Sequence, residues 1–226
     1  NTHPEFARRV CERLFRRFGV EVRETENHFQ AQSAMDAAVF AGGALRTVAG
    51  SIMKISNDIR WMGSGPRAGI GELALPEVQP GSSIMPGKVN PVIAESACQV
   101  CAQVMGNDLT VALGGQSGNF ELNVMLPVIA YNLLQSTSLL AATAANLTDR
   151  CIAGLRATGR GPELVEQGLM LATALAPVIG YDAAAEISKE AYRTGKTIRE
   201  VARERTDLSE EELERLLDAR KMTGDR

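Results

Sequence analysis

The sequence predicts an all-α chain, with long bundle helices to about residue 153 and a small helical domain over 154–226. Three observations carry that prediction. Apolar residues recur at helical spacing over long stretches without proline. No stretch reads as a strand. Glycine and proline collect instead in a few segments, chiefly 63–91, 114–123 and 159–162, and leave helix-length runs between them.

At the start, Thr2 and Glu5 have the spacing of a capping box, Pro4 suits a first turn, and Phe6, Val10, Leu14 and Phe18 form an apolar stripe that stops at Gly19. A second run, from about Phe29 to Met62, would extend about 50 Å at 1.5 Å per residue. Gly42, Gly43 and Gly50 lie inside it. A helical glycine costs about 1 kcal/mol relative to alanine, so neighbouring helices are expected to approach closely there. Residues 63–91 lose all periodicity, and a loop of that length is functional or unstructured. Asn90 as N-cap and Pro91 at the first helical position open a helix over 92–113, which ends before Gly114 and Gly115. After the polar loop 114–123, a helix is predicted from about Val124 to Cys151, with Pro127 near its start where proline is tolerated. Shorter helices follow near 162–176, 182–194, 197–205 and 209–218, the last opened by a Ser209/Glu212 capping box. Long bundle helices without haem or metal ligands often continue their packing across subunits, which predicts an oligomer.

Composition narrows the function. The 24 Lys and Arg against 27 Asp and Glu give no net basic field of the kind that draws a protein onto nucleic acid or anionic lipid. A small molecule or a protein is the expected partner. No run of about 18 uncharged apolar residues predicts a membrane span, and no basic segment followed by an apolar stretch opens the chain, so the expected location is cytoplasmic. Cys11, Cys98, Cys101 and Cys151 are too sparse for a disulfide framework and are expected as reduced thiols. The chain begins at Asn1, without Met, and enters a helix at once, which suggests a fragment whose N-terminal part is missing.

The segment PGSSIMPGKVNP, residues 80–91, concentrates polar groups among turn formers. It is not a Walker loop: Gly81 is one residue too far from Gly87, the residue after Lys88 is Val, which cannot ligate Mg²⁺, and no strand precedes it. GSGPRA at 63–68 follows a helix and opens none, so it is no dinucleotide fingerprint. Cys98 and Cys101 form a lone CxxC with only His3 and His28 elsewhere, and read as buried thiols. In 80–91, by contrast, Lys88 supplies a full positive charge, Asn90 an amide donor, and Ser82 and Ser83 hydroxyls. The following helix adds free N–H groups at its N-terminus. These groups suit a carboxylate. From the residues alone, a solvated Lys88, a capping Asn90 and a Glu95 that only complements the helix dipole fit equally well.

GSSIMPGKVNP matches the G-S-S-x-x-P-x-K-x-N signature of the fumarase and aspartase superfamily at each defining position. NTHPEFARRV, NDIRWMGSGPRAGIGE, CAQVMGND, GGQSGNFELNV and GYDAAAEISKEA extend the likeness along essentially the whole chain, which resembles the C-terminal half of class II, iron-independent fumarases. The Pro-Gly-Lys at 86–88 and SGNFELNV at 117–124 resemble fumarase rather than aspartate ammonia-lyase. The resemblance implies a lyase of the citric acid cycle that interconverts fumarate and L-malate, with no metal or organic cofactor. It also implies a homotetramer whose sites are each shared by three subunits.

Carried over by motif, Ser82 is the base that removes a C3 proton from L-malate to give an aci-carboxylate carbanion, and Ser83, Lys88, Val89 and Asn90 hold the substrate. Glu95 pairs with a catalytic histidine from elsewhere in the assembly. That histidine's Thr-His motif, and the Ser-Thr and Ser-Ser-Asn motifs of substrate binding, are not found here, and neither His3 nor His28 matches the first. The resemblance therefore implies residues 1–153 as the later part of a central bundle domain, 154–226 as a small C-terminal domain, and little activity for this chain alone. A helical scaffold that keeps the loop without the chemistry is the alternative from a different class.

Overall fold

The computed structural model describes residues 2–224. Eleven α-helices account for most of them: α1 (Phe6–Phe18), α2 (His28–Ser33), α3 (Asp36–Met62), α4 (Val92–Gly115), α5 (Leu126–Arg150), α6 (Arg160–Gln167), α7 (Ala176–Ile179), α8 (Tyr181–Thr194), α9 (Ile198–Arg205), α10 (Glu210–Leu216) and α11 (Ala219–Met222). Two short 3₁₀ turns, Ile152–Gly154 and Leu169–Ala174, and two two-residue strands, β1 (Leu73–Ala74) and β2 (Arg156–Ala157), complete the chain. The helical class is as the sequence predicts. The strands are not: residues 63–91 contain β1, which pairs antiparallel with β2. Residues up to Asp58 group with Val92–Ala153 into one compact unit, and Ile59–Pro91 with the residues from Gly154 onward into a second.

In the first unit α1 ends as predicted at Gly19, whose φ of +68° lets its N–H cap the carbonyl of Phe15. It does not begin with the Thr2/Glu5 box. The helix starts at Phe6 without a side-chain cap, because the Glu5 carboxylate is taken by Arg8 and Arg9 one turn on and its N–H bonds His3 Nδ1. The run 29–62 is likewise not one helix. It breaks after Ser33, where Ala34 is extended, and the carbonyls of Gln32 and Ser33 are met by the backbone N–H and the side chain of Asn123.

Ala49 on α3, Cys101 and Val104 on α4 and Leu140 on α5 form the buried centre of this unit. Helix approach is closest at glycines. A side chain on Gly42 would come within 2.7 Å of Asp108 Oδ1, and one on Gly114 within 2.8 Å of Ile129. Gly43 and Gly50, expected to do the same, have nothing within 4 Å. Between α4 and α5, buried Asn107 donates to Gln135 Oε1 at 2.9 Å and Ser136 Oγ at 3.0 Å, whereas the buried Ser56 hydroxyl on α3 has no partner among the described residues. By length and mean hydropathy of 1.2, α3 and the stretch Leu126–Gly154 would pass as membrane spans. Most of either stretch is not buried within the described residues.

The second unit has its own core, in which Leu171, Leu175, Ile187, Ile198, Val201 and Leu213 are almost fully buried. The predicted helix 162–176 is here three pieces, because Gly168 is extended (ψ 138°) and a 3₁₀ turn follows it. The Ser209/Glu212 box forms as predicted, and an unforeseen one, Thr197/Glu200, opens α9.

Candidate active site

The loop 81–90 is closed by contacts among its own residues. Ser82 Oγ accepts the backbone N–H groups of Ile84 and Met85, both at 3.2 Å. Met85, Pro86, Gly87 and Lys88 then make a tight turn with the features of type II: proline second, glycine third with φ +73°, and the Lys88 N–H bonded to the Met85 carbonyl at 3.3 Å. The turn returns the Lys88 carbonyl onto Gly81, where a Cβ would lie 1.8 Å from it, so only glycine fits. Asn90 Nδ2 donates to the Gly81 carbonyl at 2.5 Å and ties the two ends together. Gly81, Pro86 and Gly87 thus each have a local task.

The loop brings Ser82, Ser83, Lys88, Val89 and Asn90 into one ring. Ser82 and Asn90 are half-buried, whereas Ser83, Lys88 and Val89 are exposed. Two N–H donors converge on Ser82 Oγ, and donors aimed at an oxygen favour its anionic form. No letter of the sequence announces these donors, because they belong to the backbone. The only trace is the S-x-x-x-P-G spacing that folds Ile84 and Met85 back over the serine. Asn90 is not the expected N-cap: α4 begins at Val92, which leaves Pro91 at the cap position, and the amide of Asn90 donates to the Gly81 carbonyl. One of its two N–H groups remains for a ligand.

Glu95 lies half-buried in the first turn of α4, in the other compact unit. The two histidines are exposed and locally engaged, His3 with the Glu5 N–H and His28 with Glu24. Cys101 and Cys151 are buried free thiols, and burial pushes both up from the ordinary thiol range. Among the described residues no three His, Cys, Asp or Glu side chains cluster so as to hold a metal ion.

Residues 1–106 match a family model described as lyase, and 171–224 one described as fumarase C C-terminus. A Pseudomonas aeruginosa protein named fumarate hydratase class II 2 is 51% identical over 99% of this chain and 49% of its own length. The class II fumarate hydratase of Thermosynechococcus vestitus is 49% identical over 100% and 49%. The chain belongs to the class II fumarase family. It spans about half the length of the curated relatives it matches. Among solved structures, the chain is similar to a fumarate lyase:delta crystallin from Brucella melitensis (TM-score 0.90, 46% identity, 98% of this chain and 48% of that one). It is also similar to the class II fumarase of Schistosoma mansoni (TM-score 0.85, 36% identity, 97% and 49%).

Proposed function

We propose that this chain is the part of a class II fumarate hydratase that carries the reacting serine loop, and that the complete enzyme interconverts L-malate and fumarate. The observation that supports it most directly is the pair of backbone N–H groups on Ser82 Oγ, inside a loop that meets the superfamily signature at every defining position. A free serine is a poor base at neutral pH, and these donors are what a serine oxyanion requires. In this reading the oxyanion takes the C3 proton of L-malate, and the electron pair of that C–H bond passes into the adjacent carboxylate as an aci-carboxylate. The C2–O bond then breaks, the departing hydroxyl gains a proton and leaves as water, and fumarate remains.

The other loop groups bind. Lys88 sets a positive charge beside the carboxylate that accumulates negative charge, Ser83 and the second N–H of Asn90 donate to it, and Val89 contributes its backbone. Glu95 acts by pairing with a histidine supplied from elsewhere in a homotetramer. Residues 1–153 are the later part of the bundle domain, 154–226 the small C-terminal domain, and the chain alone turns over little substrate. The family's chemistry asks for no metal or organic cofactor, and a cytoplasmic location belongs to the same proposal.

The test uses the complete gene product, with fumarate formation from L-malate and from L-aspartate followed by ultraviolet absorbance. Malate turnover that falls about 10²–10⁴-fold in Ser82→Ala, the range a positioned base contributes, supports the reading. Turnover of aspartate instead would make it the ammonia-lyase, and activity on neither would leave a helical scaffold.

A further inference from the structure

We propose that Thr158 is a positioning residue for the serine loop: it latches the strap that delivers Ser82. The proposal rests on the reading of residues 81–90 as the reacting loop.

The strap is the segment 71–76. It lies along residues 154–158, which belong to the same compact unit. A side chain on Gly154 would come within 2.7 Å of Pro76, Ala74 pairs with Arg156, Leu73 pairs with Ala157, and the Glu72 carbonyl accepts the Thr158 N–H at 3.0 Å. The last rung is the side chain's: Thr158 Oγ1 donates to the Gly71 carbonyl at 2.7 Å. The same oxygen accepts the Arg160 N–H at 3.1 Å, so one half-buried hydroxyl joins the strap, the end of β2 and the first residue of α6.

Two-residue strands hold few ladder bonds, and a slip of one residue would turn every strap side chain to the opposite face. The hydroxyl bond removes that freedom, since Oγ1 meets the Gly71 carbonyl in this register only. Gly71 itself is held in the left-handed region (φ +66°), and a Cβ there would lie 3.0 Å from the Pro66 carbonyl. The strap therefore enters the ladder at a fixed point. Only residues 77–80 separate its end from Gly81, so its register sets where the ring carrying Ser82 begins. A displacement of the reacting group by about 1 Å can cost 10²-fold in rate.

Thr158→Ala and Thr158→Ser separate a latch from ordinary packing. By hydrogen exchange on this chain, amides of residues 71–85 in Thr158→Ala are expected to exchange roughly fivefold faster, the effect of losing one neutral hydrogen bond, while those of α8 and α9 hold their rates. Thr158→Ser, which keeps the hydroxyl, is expected to match the wild type. In the complete enzyme, kcat of Thr158→Ala is expected to fall about tenfold with KM within about twofold, and Thr158→Ser to restore it. Wild-type exchange in the Ala variant, an equally loosened Ser variant, or faster exchange with unchanged kcat would each overturn the proposal. If the wild-type product turns over no malate, the functional reading fails separately, and exchange alone decides the latch.

Discussion

A single missing Cβ decides whether the serine loop can exist. With Lys88 O 1.8 Å from where the Cβ of residue 81 would be, Gly81→Ala cannot keep the ring closed. The expected outcome is a loss of malate turnover comparable to that of Ser82→Ala, with an unchanged helical circular dichroism spectrum; retained activity would show that the ring is not needed. Gly87→Ala asks less, since Gly87 has open space but a left-handed backbone, and a milder fall in kcat is expected. At this scale the sequence was informative about side chains and silent about the main chain. Ser82, Lys88 and Asn90 stand out as polar letters among turn formers, whereas the donors on Ser82 are the N–H groups of two apolar residues, Ile84 and Met85. Thr158 escaped for a different reason: its partner, Gly71, is distant in sequence, and a lone threonine before Gly-Arg carries no motif.

Helix existence followed from apolar spacing, but helix ends followed it only where the cap was local. Gly19 and the Ser209/Glu212 box were readable. The break after Ser33 was not, because Asn123, far along the chain, takes the carbonyls there. The glycines of α3 give a test of the same contrast. Gly42→Ala would press a methyl against Asp108 and Val111 and is expected to destabilise the chain by about 1–3 kcal/mol. Gly43→Ala, one residue on and without neighbours, is expected to stabilise it by about 0.5–1 kcal/mol in chemical denaturation. In the second unit the caps predict a pH dependence. The Thr197 and Ser209 N–H groups, followed by their hydroxyls, hold the Glu200 and Glu212 carboxylates below the usual range. A depressed folded pKa adds stability above the unfolded value, near 4.3, that is lost as pH falls through the folded one. The melting temperature is therefore expected to drop below about pH 4.3, less steeply in Thr197→Ala and Ser209→Ala, each of which costs about 1 kcal/mol at neutral pH.

Across the whole molecule, the bundle helices leave large apolar side chains uncovered, with Phe40 81% and Leu134 72% exposed. Such faces mark surfaces that another segment or subunit covers. The complete gene product is accordingly expected to sediment as a homotetramer, and Phe40→Glu with Leu134→Glu to shift it to smaller species; a monomeric wild type would sink the shared-site reading. The class of the fold was legible because periodicity is a property of the whole sequence. The grouping of 59–91 with the residues beyond 154 was not, because it is carried by a two-residue ladder too short to leave a strand pattern. The ring at 81–90 is the opposite case, since everything that closes it is encoded in one unbroken stretch. What travels with that stretch is the pair of donors on Ser82 Oγ: substitutions elsewhere can shift where the ring is presented without changing which amides face the oxygen.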